Sequence, residues 1–261
     1  MAENDNFYSR QAEKGYAMFK VLKSVSTGVL ILLCLPLLVW VSGWHWQPDN
    51  TLPLKPVLFA FTETVTRPWG ILTSLLLGGW LLWLRYGDGA GLRELLQTAV
   101  LVVLVVWGGQ GINTLIKHYV QEPRPYTLWI SRVSGTSVDH FYHLSGQERG
   151  QLVERVTGQE PFIPGWLRQH WAYETGYAFP SGHSMFAACW ALLMLVLAGV
   201  KRHYVTVVAT FVWAIVVMGS RMALGMHWPR DVIMSVMVAG ITLTVACALF
   251  RGILSERVRQ G

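Results

Sequence analysis

Long apolar runs alternate with polar stretches along the whole of this chain. A helix needs about 20 predominantly apolar residues to cross a hydrocarbon core of about 30 Å. Six runs meet or approach that length: Val25–Trp44, Trp69–Tyr86, Leu95–Ile116, Ser184–Val200, Tyr204–Ser220 and Val232–Phe250. The fourth and fifth are on the short side. The first has a long polar lead, an apolar part beyond the usual span of roughly 7–15 residues, and no small-residue cleavage site after it. It therefore reads as a retained helix rather than a removable leader. The pattern predicts an all-α fold, a six-helix transmembrane bundle in a single domain over residues 1–261.

The polar stretches then orient the bundle. With residues 1–24 on the cytoplasmic side, that face collects Arg10, Lys14, Lys20, Lys23, Arg85, Arg93, Lys201, Arg202, Arg251, Arg257 and Arg259. The short outer connection near 45–67 holds only Lys55 and Arg67. Short cytoplasmic segments carry the excess of Lys and Arg, whereas long loops escape that rule. Both termini are thus expected on the cytoplasmic side, with the 117–182 loop region on the outer, periplasmic-type face. That loop is too long to be a bare connector. Within it, Ile163, Trp166, Leu167 and Trp171 fall at helical spacing. Two readings fit them equally: an amphipathic segment lying in the interface, or a small helical cap with its own core.

Composition agrees with a membrane protein. Charged residues make up 14% and hydrophobic ones 52% of the chain, against roughly 25% charged in soluble domains. The 13 Trp suit two lipid–water interfaces. Cys34, Cys189 and Cys247 sit in apolar runs without metal-ligand spacing and read as small buried hydrophobes. A net charge of +6 spread along the chain with no long basic run fits anionic lipid and argues against nucleic acid.

Three short clusters carry chemistry, and each lies where an apolar run meets a polar stretch. Lys117 and Arg124 lie in K-H-Y-V-Q-E-P-R-P, with Pro123 and Pro125 fixing an extended segment around Arg124. A phosphate monoester needs fixed positive charge around its oxygens, and Arg offers a planar fork where Lys offers a point charge. Taken alone, such cations more often snorkel to the interface. In P-S-G-H, Ser181 and Gly182 turn the chain into a helix whose N-terminus is an anion seat, with His183 beside it to protonate a leaving oxygen. An N-capping Ser with an incidental His fits that tetrapeptide equally. The third cluster, S-R-M-A-L-G-M-H-W-P-R-D, is the sharpest. Asp231 lies four residues after His227, so it can take one imidazole proton and leave the other nitrogen nucleophilic. Arg221 adds a third cation. Two His and an Asp suggest zinc, but three nearby cations and the lack of a fourth ligand oppose a metal. Glu174 is an auxiliary candidate, to shape a headgroup pocket or pair with a cation, although a solvated loop carboxylate fits it better. Gln110 and Asn113, one turn apart, either line a lipid channel or bridge helices.

The joint pattern K-x6-R-P, P-S-G-H and S-R-x5-H-x3-D resembles the three-part signature of the type 2 phosphatidic acid phosphatase superfamily. Similarity to one bacterial branch of that superfamily runs further, from V-S-G-W-H-W-Q-P and T-E-T-V-T-R-P-W-G through V-Q-E-P-R-P and H-W-A-Y-E-T-G-Y-A-F-P-S-G-H to M-G-S-R-M-A-L-G-M-H-W-P-R-D. It leaves out the first twenty-odd residues and the C-terminal tail. The resemblance implies a phosphatase that uses no metal or other cofactor and works through a phosphohistidine. It makes His227 the nucleophile, Asp231 its orienting partner and His183 the general acid. Lys117, Arg124, Ser181, Gly182 and Arg221 then bind the substrate phosphate. The implied substrates are phosphatidylglycerol phosphate, undecaprenyl pyrophosphate and phosphatidate-type lipids. The expected partners are therefore a lipid phosphate and membrane lipids, with no obligate protein partner. Two rival readings keep the same residues: a non-enzymatic lipid-phosphate carrier, and a phosphotransferase with an acceptor other than water.

Overall fold

The computed structural model of the protein describes residues 2–48 and 53–250, with side chains from Gly15 onward. The side chains of Arg10 and Lys14, and the tail with Arg251, Arg257 and Arg259, lie outside the described residues. Among the described residues every regular element is helical. In chain order they are α1 (Ala2–Val41), α2 (Lys55–Glu63), α3 (Trp69–Gly87), α4 (Leu92–Val120), α5 (Pro125–Ser134) and α6 (Val138–His143). There follow α7 (Gly146–Thr157), α8 (Gly165–Tyr173), α9 (Gly182–Leu193), α10 (Val200–Ala223) and α11 (Pro229–Leu249). A π turn, Met194–Ala198, prolongs α9.

Among the described residues, four stretches are long and apolar enough to cross a membrane: Gly15–Val41, Leu92–Ser134, Val200–Ala223 and Pro229–Leu249. Large apolar side chains stay exposed along them and along α3, among them Leu30, Leu38, Leu75, Leu76, Val103, Val212 and Ile241. A water-soluble chain buries such belts, whereas lipid solvates them. The chain is an integral membrane protein. The apolar Gly182–Ala198 stretch is shorter, and it takes a different place. Every residue from Ser184 to Leu193 is buried, so α9 is the axis against which α4, α10 and α11 pack. Its Ala187, Ala188, Cys189 and Ala191 let those backbones approach closely. On the α1–α11 contact, a Cβ at Gly240 would lie 2.7 Å from Val29, so only glycine permits that approach.

A second core lies outside the bundle. Tyr126, Ile130, Phe141, Val153, Ile163, Leu167 and Trp171 of α5–α8 and their connections bury one another together with Leu224 and Met226. The residues at helical spacing in Ile163–Trp171 face this core, Ile163, Leu167 and Trp171 buried within it and Trp166 packed against it. Tyr126 and Trp171 stack at 5.0 Å. Trp171 Nε1 donates to Leu224 O at 2.9 Å and Tyr126 N to Gly225 O at 3.0 Å. These bonds fasten the layer to the turn between α10 and α11. In that turn Gly225 has φ +70°, and a Cβ there would fall 2.5 Å from the Trp46 ring.

The helices depart from the expected runs at their ends. α4 continues beyond Ile116 to Val120, so Lys117 lies in its last turn. The connection near 45–67 is not plain either, because it contains α2.

Candidate active site

Backbone contacts draw the three clusters to one place. Ala178 N donates to Glu122 O at 2.7 Å, and Ser181 N to Asp231 O at 3.4 Å. Trp228 Nε1 donates to Pro123 O at 2.9 Å, and Arg230 forms an ion pair with Glu122. The chain before α5, the start of α9 and the start of α11 are thereby laced together.

Each side chain then follows from its local structure. Arg124 caps α5 in an extended conformation, φ −73° and ψ 154°, ahead of Pro125. Its Nε donates to Gly176 O at 2.7 Å and Nη1 to Glu174 Oε2 at 3.2 Å. Lys117 Nζ donates to Tyr177 O at 2.9 Å. Ser181 is the N-cap of α9, its Oγ accepting from Ser184 N at 3.3 Å. Ser235 Oγ donates to Ser181 O at 2.9 Å, which ties the start of α9 to α11. At Gly182 a Cβ would lie 3.4 Å from both Gln110 and Asn113, and Gln110 Nε2 donates to Gly182 O at 3.0 Å. Gln110 therefore bridges α4 to α9, and Asn113 lies buried against the same glycine. Arg221, in the last turn of α10, is fully buried.

His227 Nδ1 lies 3.2 Å from Asp231 Oδ2, which also accepts from Trp228 N at 2.8 Å. An ionised carboxylate only accepts. With Asp231 in that form, the shared proton sits on Nδ1 and Nε2 carries the free lone pair. His227 is buried, and burial together with the charges of Arg124, Arg221 and Lys117 pushes its pKa well below the ordinary histidine value. The ring is held neutral and oriented, as a nitrogen nucleophile must be.

Glu174 overturns one expectation, that of a solvated loop carboxylate. It caps the end of α8, and its side chain is only 13% exposed. Oε2 accepts from Arg221 Nη2 at 2.6 Å as well as from Arg124, and Oε1 lies 3.3 Å from His183 Nε2. Burial alone would raise its pKa, but Arg221, His183 and Arg124 hold it well below the carboxylate range. The polar composition of the loop hid this, because the burial comes from the packing of α5–α8.

Other members of the cluster have no motif of their own. Thr66 Oγ1 is 3.1 Å from His183 Nε2. His170 Nε2 is 2.9 Å from Arg221 Nη1, and His170 Nδ1 is 3.3 Å from Glu63 Oε1. Thr62 and Ser220 share a hydrogen bond. The T-E-T-V-T stretch that follows from α2 is thus part of the site. Its advance signal was the T-E-T-V-T-R-P-W-G similarity, which gave no role to any of its residues.

A helical bundle in a membrane, with three cations and three histidines at one end, has the parts to handle a phosphate group, and its relatives define the class: it is a membrane-embedded phosphatase, a hydrolase. The chain belongs to the PAP2 superfamily, whose description matches residues 98–253. It is 45% identical over 232 residues to phosphatidylglycerophosphatase B of Escherichia coli (strain K12), covering 88% of this chain and 89% of that protein. Phosphatidylglycerophosphatase B of Haemophilus influenzae is 26% identical over 237 residues, covering 88% of this chain and 97% of the relative.

Proposed function

We propose that this phosphatase acts on lipid phosphates: phosphatidylglycerol phosphate, undecaprenyl pyrophosphate, and phosphatidate-type lipids. The observation that carries the reading is the His227–Asp231 pair at 3.2 Å, a nucleophile acted on by Lys117, Arg124 and Arg221. A carrier would need the cations but not the oriented imidazole.

In the first step Nε2 of His227 attacks phosphorus, and the bond from phosphorus to the lipid oxygen breaks. His183 gives its proton to that departing oxygen, or to the departing lipid monophosphate when the substrate is a pyrophosphate. In the second step water attacks the phosphohistidine, His183 takes back a proton, and inorganic phosphate leaves. Asp231 stabilises the ring as it gains positive charge. Lys117, Arg124 and Arg221, with the backbone and hydroxyl of Ser181 and Gly182 at the start of α9, hold the phosphate oxygens.

Six helices cross the membrane in this reading: α1, α3, α4, the α9 stretch, α10 and α11. Both termini lie in the cytoplasm and the site opens on the periplasmic face of the inner membrane, capped by α5–α8. The test is phosphate release from each lipid in detergent, without added metal and with chelator, comparing kcat/KM across mono- and pyrophosphates. Release is expected in both conditions for the native chain and in neither for His227→Ala. Substantial turnover by that variant, correctly folded, would refute the assignment.

A further inference from the structure

Arg221 is a fully buried guanidinium with two kinds of partner. Nη2 donates to Glu174, and Nε, shut off from solvent, has no hydrogen-bond partner among the described residues. Nε and Nη2 share the edge of the guanidinium that binds a phosphate or carboxylate in bidentate fashion. Nη1, on the other side, points to His170 Nε2 at 2.9 Å. A guanidinium N–H only donates, so Nε2 of His170 must accept, and the ring proton must lie on Nδ1. That nitrogen is 3.3 Å from Oε1 of Glu63, a buried atom that has no hydrogen bond among the described residues. Carboxylate, imidazole and guanidinium therefore stand in a row from α2 through α8 to α10, joined by a hydrogen bond at the Arg221 end and a close contact at the Glu63 end.

The ring itself has little freedom. His170 is 5% exposed, and Phe59, one turn before Glu63, meets it edge-on at 5.3 Å. The neighbouring Thr62–Ser220 hydrogen bond ties the same end of α2 to the residue before Arg221. A group that only filled space would not need matched donors and acceptors on both ring nitrogens.

We propose that Glu63 and His170 are positioning residues for Arg221, with Glu63 fixing the His170 tautomer and His170 holding Nη1 so that the Nε–Nη2 edge faces the substrate phosphate. The inference rests on the reading of Arg221 as a phosphate-binding residue. It predicts an effect on anion recognition that a change in folded fraction cannot imitate.

The experiment uses the full chain in detergent micelles, with a short-chain lipid phosphate as substrate. Orthovanadate, which takes up five-coordinate geometry, is the inhibitor. His170→Ala is expected to raise both KM and the vanadate inhibition constant about tenfold, whereas His170→Gln, whose amide oxygen can still accept from Nη1, stays within about threefold. In an Arg221→Lys background the same His170→Ala change is expected to cost less than about twofold, because residues acting through one another are not additive. Both constants are independent of how much protein is folded. If they stay unchanged in His170→Ala, if His170→Gln is as impaired as His170→Ala, or if the full cost persists beside Lys at 221, the positioning role is overturned. Arg221→Lys alone, leaving KM and vanadate inhibition at native values, would instead overturn the phosphate-binding reading of Arg221.

Discussion

Helix α10 carries an arginine–carboxylate pair near each of its ends, and the two pairs are unalike. Arg202, near its start, meets Asp88 at 3.3 Å with a side chain 54% exposed. Arg221, in its last turn, meets Glu174 at 2.6 Å with a side chain 0% exposed. Exposed pairs are worth about 0–1 kcal/mol. A buried charge costs far more to desolvate, and its pairing at best returns that cost. Nothing about membrane insertion requires Arg221 at 0% exposure when Arg202, on the same helix, stays in water. The difference is the one that the proposed anion site asks of the Arg221 end, a charge kept dry, while the Arg202 end is an ordinary solvated boundary.

The comparison is broken most severely through Asp231. Asp231→Asn keeps the shape but removes the negative charge that stabilises the His227 ring as it becomes positive, and leaves only one neutral oxygen to serve His227 Nδ1 and Trp228 N, which share Oδ2 in the native chain. The expected loss is on the order of 10²–10⁴ in kcat with the fold intact. Steady-state kinetics beside a thermal melt check it, and native kcat would refute the pairing. Arg221→Ala comes next. It strips a partner from the buried Glu174 carboxylate and should cost about 3–5 kcal/mol of stability, read as a lower melting temperature in detergent. A melt within experimental error of native would show that the two ends of α10 are equivalent after all.

A smaller effect is expected in pH dependence. Burial and then Arg124 lower the His227 pKa, so the ring stays neutral at pH values where a free histidine, with a pKa of about 6.5, would be protonated. The acid limb of kcat/KM should therefore lie below pH about 6.5 and move upward in Arg124→Gln, since losing a cation eases protonation. An unmoved limb would contradict the electrostatic account. Arg202→Ala is the mildest, with a change of at most about 0.5 kcal/mol and native kinetics.

The sequence disclosed the site better than its surroundings. His227 and Asp231 are four residues apart on either side of a helix start, and Ser181 and His183 lie within one turn. Local spacing alone brings such pairs together. Glu63, Thr66 and His170 reach the same place only through the packing of α2 and α8, so no periodicity could announce them. Glu174 was misjudged for the same reason: its loop is polar, yet the aromatic core of Tyr126 and Trp171 closes over it. The apolar runs marked the bundle, but run length says nothing of position, and α9, the shortest, proved to be the buried axis.

The central claim is that His227 takes the phosphoryl group. It is tested most directly by mixing the chain with a lipid phosphate labelled on its terminal phosphate, quenching in alkali within one turnover, and mapping the label. The account predicts alkali-stable, acid-labile label on His227 in the native chain and none in His227→Ala. Label on another residue, or an unlabelled native chain that still releases phosphate under conditions that preserve phosphohistidine, would contradict it.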